Sequence, residues 1–474
     1  MDTNVDKNTM KIKDIDIGNA IEHQLKIQKG IADHLIDVIV EEGIVTLQGS
    51  VESLLSKERA EDVCKAVRGV RAVINNLYVN AYDIADKDLL TDVESALNLD
   101  PATEAYELTV EIDSAKAHIA GTVRSWEEKQ LVTNVVKGVR GIREVSNELA
   151  FDTSTHRTDD EIKEDIRQAL RWDIRVDDGL IVINVNEGHA ELSGIVGSLA
   201  EKSKAEGLAW QCGISTLNSD ELHVERWVRD EDMRKDKYIS KSDDDVRTAI
   251  QDAFFRDPRV GSFLLNVSVE DGHVRLDGNV DNLKSKIAAG EDAANVVGVY
   301  FVQNNLKVRP EEQMSDKQIE SEVRKALSLN PYVERLNIKV DVYNGKVYLG
   351  GFAASSFEKN EAEETASRIK GVIDTENNIN VYSALSKQEK SYMFDPYTHL
   401  NIPAKSDDQI KEDFNNLIWW SPFVNDNRIH VEVSDAELEV SGKVESMREK
   451  YIADICAYQS GAEKVKNKIV VETS

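Results

Sequence analysis

The chain has 474 residues, 41% of them hydrophobic and only 6% aromatic. That hydrophobic share supports packed cores and lies outside the disordered class, and the shortage of aromatics predicts cores of Val, Ile, Leu and Ala. A formal net charge of -29, from 87 acidic against 58 basic residues, repels phosphate backbones and anionic lipid, so nucleic acid is not expected as a partner. No run of about 18 apolar residues occurs, so no transmembrane segment is expected. The N-terminal MDTNVDKNTMKIKDIDIGNA has neither a signal-peptide core nor twin Arg. The expected location is cytoplasmic, or periplasmic if the sequence is a processed form. Cys64, Cys212 and Cys456 are odd in number and far apart, and each sits in a helix-like segment, which fits buried reduced thiols.

Residues 1–12 read as a disordered tail. Beyond them one pattern recurs six times: amphipathic helix, strand, strand, helix, strand. The first helix carries an apolar triplet at i, i+4, i+8: Ile17/Ile21/Leu25, Leu89/Val93/Leu97, Ile162/Ile166/Leu170, Val246/Ile250/Phe254, Ile319/Val323/Leu327 and Ile410/Phe414/Ile418. This spacing holds one stripe on one helical face. Pro101, Pro258, Pro331 and Pro422 follow four residues later in four copies and stop the helix. Two alternating strands come next, as in residues 180–194, 264–278 and 336–351, around Glu-Gly, Asp-Gly or Asn-Gly turns that mark hairpins. The second strand ends at Gly49, Gly121, Gly194, Gly278, Gly351 and Gly442.

After a second helix, each copy closes with a glycine, an Asn six residues on, and Leu or Ile two further. The five regular cases are Gly69-Asn75-Leu77, Gly141-Asn147-Leu149, Gly298-Asn304-Leu306, Gly371-Asn377-Ile379 and Gly461-Asn467-Ile469. The third copy has Gly213, Asp220 and Leu222, which reads as one inserted residue. Capping boxes at Thr158/Glu161, Ser315/Gln318 and Ser406/Gln409 mark helix starts, and Ser242/Asp245 is close to one. The pattern predicts an α+β chain of six tandem αββαβ domains. Their expected bounds are 13–82, 86–152, 157–226, 241–309, 314–382 and 406–473, with linkers at 227–240 and 383–405. An elongated string, grouped three, two and one, is the expected shape.

A unit of this order, with a strand-ending glycine and a late G-V-x-x-V-x-N motif, resembles the BON domain, the bacterial osmotic-stress and nodulation domain. The matching stretches are VTLQGSV (45–51) with VRGVRAVINNL (67–77), and VRLDGNV (274–280) with VVGVYFVQNNL (296–306). The resemblance implies two helices packed on one face of a small three-stranded mixed sheet, and no enzymatic activity. It also implies a stress-response role, with attachment to phospholipid surfaces, and potassium sensing or chaperone-like protection in particular members. The chain departs from the family's envelope proteins in having no signal peptide, no LysM partner domain and a charge unfavourable for anionic lipid.

The candidate site residues divide by chemistry. The six strand-ending glycines fit no phosphate-loop spacing and read as turn and close-packing positions. Asn75, Asn147, Asn304, Asn377 and Asn467 read as satisfying backbone groups where a strand enters the sheet. Acidic clusters at Asp159-Asp160-Glu161, Asp243-Asp244-Asp245 and Asp407-Asp408 read as first-turn residues complementing the helix dipole, since they lack a calcium-loop spacing. His189 and His273 read as turn residues. Trp419, Trp420 and Phe423 form the most unusual apolar cluster; that stretch packs the end of the first helix in other copies, so core packing is the favoured reading and an exposed partner anchor the alternative. No catalytic constellation, cofactor site or metal-ligand spacing is read. The leading function is a non-enzymatic, multivalent binding or scaffold protein engaging phospholipid surfaces or protein partners. A cytoplasmic potassium-responsive protein and a self-assembling structural protein, pairing through open sheet edges, are the alternatives.

Overall fold

The computed structural model describes residues 12–27, 31, 33–81, 83–103, 106–151, 157–225, 233, 236–310, 314–334, 336–353, 355–381, 405–424, 426–462 and 464–472. Residues 1–11 of the expected tail, and residues 227–232, 234, 235 and 383–404 of the two expected linkers, lie outside them.

Six αββαβ units follow one another. Their first helices are Asp14–Ile27, Asp86–Leu99, Asp159–Trp172, Asp243–Arg256, Asp316–Leu329 and Asp407–Trp420, and each begins on Asp. The apolar triplets are buried in all six. Capping boxes form at Thr158, Ser315 and Ser406, whereas Ala85 at the start of the second copy gives no side-chain cap. The second helices are Leu54–Lys65, Trp126–Lys137, Leu199–Gln211, Leu283–Ala294, Ser356–Ser367 and Met447–Gln459. Each opens behind a Ser or Asn whose side chain accepts from the third helical amide.

Each sheet has three strand positions, with the second strand central, antiparallel to the first and parallel to the third. Inward residues of these strands pack under the two helices, as Val45, Leu47 and Val51 do against Ile21 and Ala60 in the first copy. In the third copy the parallel register changes from Glu191↔Asn218 to Gly194↔Leu222, an offset growing from 27 to 28 residues. One residue is therefore extra in its last strand, a bulge at the place where the sequence departs from the motif.

The copies do not form an elongated string. The helix layer of each unit has only one side covered by its own sheet, and the other side meets helices of another copy. The pairing is nested: first with sixth, second with fifth, third with fourth. Arg68 donates its amide to the Trp420 carbonyl at 3.1 Å, Arg140 to Leu329 at 2.9 Å, Lys370 to Leu99 at 3.3 Å and Val297 to Trp172 at 2.9 Å. Each bond joins the residue before a late glycine to the last residue of another copy's first helix. Neighbours in sequence also touch: Trp126 stacks on Trp210 with ring centroids 6.0 Å apart, and Lys137 pairs with Glu58. The fourth and fifth copies share one continuous core, against which Leu99 and Trp172 also pack.

The described part of the 227–240 segment is not a solvated link. Met233 is buried, and Lys237 is 1% exposed. The Lys237 ammonium donates to the carbonyls of Leu170 at 2.8 Å and Asp173 at 2.7 Å, and to that of Val176, so it closes the C-terminal end of the third copy's first helix.

Candidate binding faces

The first Asp of every first helix reaches the hairpin turn. Its carboxylate accepts from two consecutive turn amides, at 2.7 to 3.2 Å, in all six copies: Asp14, Asp86, Asp159, Asp243, Asp316 and Asp407. Three of these belong to the acidic clusters read from sequence as dipole-complementing residues. They occupy that position and latch the hairpin as well. The signal was an Asp recurring 28 residues before each turn.

The glycines expected to end the second strand instead lie inside it in five copies, as Gly49 does within Ile44–Val51, and only Gly278 follows its strand, His273–Asp277. All six sit at positive φ, and a Cβ on Gly49 would lie 2.0 Å from the Leu35 carbonyl oxygen. Asn75, Asn147, Asn304, Asn377 and Asn467 each donate to a lysine carbonyl in the second helix and accept the amide two residues on. For Asn304 these are Lys286 at 2.7 Å and Leu306 at 3.2 Å. In the bulged third copy, Lys202 reaches the Ser219 carbonyl at 2.8 Å instead. The three thiols are buried, and burial pushes each up to about 12.

The Trp cluster divides. Trp420 is buried against the first copy's core, Trp419 is half-exposed with its ring edge-on to Trp420, and Phe423 lies beneath the Arg448 guanidinium. Trp420 thus anchors the sixth copy on the first, within the same chain. Arg68 completes that contact, donating from Nε to Ser421 O at 2.8 Å and from Nη2 to Val424 O at 3.0 Å.

Between copies the helix faces carry buried charge. Lys284 pairs with Asp100 at 2.7 Å, joining the fourth and second copies. At the junction of the third and fourth, burial would raise the Asp173 carboxyl, yet Arg175 and Lys204 beside it hold it well below the carboxylate range. Burial lowers the Lys204 ammonium to about 8 against the pull of Asp173.

With the helix faces turned inward, the far faces of the sheets meet solvent. One row of three residues crosses each sheet at the same register: Ile39–Thr46–Ile74, Glu111–His118–Ser146, Asn184–Glu191–Asn218, Ser268–Arg275–Gln303, Asp341–Tyr348–Glu376 and Glu432–Glu439–Lys466. Five rows are polar or charged. The first is aliphatic, with Ile39 45% and Ile74 48% exposed, and Ile44 lies in the adjoining row. Tyr78, paired with Ser50, continues the patch along the second strand past Gly49. These residues do not stand out in the sequence, because Ile39 and Ile74 lie within runs such as Ile36–Glu41 where inward and outward positions are both aliphatic. Lining up the same row across copies would have done so.

Six αββαβ units docked through their helices, with outward sheets, define a tandem-repeat α+β protein. The BON-domain model matches residues 13–81, 85–153, 158–226, 242–310, 315–382 and 406–473, and the chain belongs to the BON-domain family. Among curated relatives, Osmotically-inducible protein Y of Escherichia coli (strain K12) is 27% identical over 137 residues, covering 26% of this chain and 68% of that protein. Two solved structures of CdsD, described as a structural protein of the type III secretion system of Chlamydia trachomatis, align at 14% and 16% identity. They cover 45% and 51% of this chain, and 100% and 98% of theirs, with TM-scores of 0.12, too low to relate the folds. No described helix is long and apolar enough to cross a membrane.

Proposed function

We propose that this chain is a non-enzymatic binding protein of the stress-response type, which offers the outward sheet face of its first copy to a phospholipid surface or a protein partner. Membership of the BON family and the likeness to an osmotically inducible protein support the stress-response part of this reading. The observation that carries the binding part is the Ile39–Thr46–Ile74 row with Ile44 and Tyr78: an exposed apolar patch on the first copy at a row that is polar or charged in the other five. Contiguous apolar surface of this kind marks interaction sites. The other copies then serve as the body that holds this face. The net charge of -29 disfavours anionic lipid, so the patch suits zwitterionic bilayers or an apolar protein surface.

Flotation with zwitterionic and anionic vesicles, at low and physiological salt, tests this for the full chain and for an Ile39→Asp/Ile74→Asp variant. Co-flotation of the wild type with zwitterionic vesicles, lost in the variant, supports the lipid arm. Flotation unchanged by the variant rules out this face as the contact. No flotation under any condition removes the lipid arm and leaves the protein-partner arm.

A further inference from the structure

The first, second and fifth copies enclose a partly open cavity of about 560 Å³, walled by helices and the loops that follow them. That volume is in the range of small-molecule sites. Its apolar walls include Leu99, Val139, Leu329 and Ile369, drawn from two of the three copies. Five carboxylates and two guanidinium groups also line it, and most of this charge is internally matched. Glu58 pairs with Lys137, Asp62 with Lys65 at 3.6 Å, Asp100 with Lys284 at 2.7 Å, and Glu364 with Arg368.

Arg59 and Glu361 are left over. Among the described residues, neither has an ion-pair partner within 4.0 Å. Arg59 comes from the first copy, its guanidinium carbon 4.0 Å above the Phe357 ring, and its buried Nε has no hydrogen-bond partner. Glu361 comes from the fifth copy and accepts one bond, from Asn330 Nδ2 at 2.7 Å. Burial lowers the Arg59 guanidinium, and burial together with Glu364 raises the Glu361 carboxyl. Each attracts the other, and Asp62 and Arg368 act on them as well, but all from beyond 4.0 Å, so neither charged form has the close ion-pair partner that burial demands.

We propose that this cavity binds a small zwitterion bearing an aliphatic chain. Its anionic end meets Arg59, its cationic end meets Glu361, and the chain lies along Leu99, Leu329 and Ile369. The walls belong to three copies, so the site exists only in the docked chain, and an occupant fastens those copies to one another.

The test uses the full chain and three probes of matched length, each below its micellar concentration: N-octyl-N,N-dimethylglycine (zwitterion), nonanoate (anion) and octyltrimethylammonium (cation). Calorimetric titration is expected to give a Kd for the zwitterion about ten-fold below either single-charge probe, the worth of one charged hydrogen bond. Arg59→Met should abolish binding of both the zwitterion and nonanoate. The near-isosteric Glu361→Gln should remove the zwitterion's advantage, so that nonanoate binds equally well. Should Arg59→Met fail to fold, the selectivity change in Glu361→Gln decides the matter alone. Equal affinity for all three probes, no binding of any, or unchanged selectivity in Glu361→Gln overturns the proposal.

Discussion

Lys370 in the fifth copy donates its backbone amide to the carbonyl of Leu99 in the second, and the relation is reciprocated: Arg140 in the second donates to Leu329 in the fifth. A contact in which each unit offers the same donor and the same acceptor is isologous, the kind made by two-fold dimers. The first-sixth and third-fourth pairs use one half of the same contact. Copies one to three therefore meet copies four to six as one half-molecule meets another.

The halves are expected to associate without a covalent link. Expressed as residues 1–240 and 241–474, so that Lys237 stays with the helix end it closes, they should form a 1:1 heterodimer. Sedimentation analysis of the mixed halves is the check. Two separately sedimenting halves at micromolar concentration would mean that the linker, and not the faces, holds the molecule together.

Asp86 latches a turn built from two residues that rarely adopt the left-handed backbone: Ser114 at φ 53° and Ala115 at φ 62°. Most other copies place Gly at the second of these positions. Asp86→Ala removes two charge-assisted bonds and is expected to destabilise the second copy by about 2 kcal/mol. Ala115→Gly relieves left-handed strain and is expected to stabilise by about 1 kcal/mol. Denaturant titration of both variants gives the comparison, and a stabilising Asp86→Ala would contradict the latch.

The repeat was legible in sequence because helix and strand periods are set by side-chain polarity, which the triplets and hairpins display. The Asn and Gly signatures were legible for the same reason: each residue type solves one backbone problem at one place. Docking was not legible, since its bonds run between main-chain groups at helix ends, which any residue supplies. Trp420 shows the boundary well. The unusual apolar cluster it belongs to admitted core packing or an anchor, but nothing local indicated that the surface it fills belongs to the first copy of the same chain. The Ile39 row was hidden for a different reason. Its meaning lies in a contrast among six equivalent rows, and that contrast needs the register of every sheet.

Lys204 gives the third-fourth junction a pH dependence with a definite sign. Its ordinary value is 10.5, and burial brings it to about 8 in the folded chain. Between those values the unfolded chain holds a proton that the native chain has released, so stability from this group rises with pH, by at most about 1.4 kcal/mol per unit. The buried thiols act oppositely: they ionise near 9.0 when unfolded but only at about 12 when native, so their share falls as pH rises past 9. The wild-type profile therefore mixes both trends. Subtracting the profile of Lys204→Met isolates the lysine, and a difference that stays flat from pH 8 to 10.5 would show that Lys204 is not held in this environment.

Arg68 is expected to decide whether the sixth copy stays docked. Its guanidinium joins two carbonyls just past the end of that copy's first helix, and its own amide takes the Trp420 carbonyl. Arg68→Ala forfeits the two side-chain bonds and leaves the Ser421 and Val424 carbonyls short of a donor, a loss of about 2–4 kcal/mol at the interface. The cores of both copies are separate clusters apart from Trp420, so secondary structure should persist while the contact opens. The expected signature is an increased radius of gyration in small-angle scattering with an unchanged far-ultraviolet circular dichroism spectrum. Pairing Arg68→Ala with Trp420→Ala should enlarge the radius further. If both variants keep the wild-type radius, the sixth copy is held by contacts other than this one, and His23 with Asp413, 3.1 Å apart across the same pair, is where to look next.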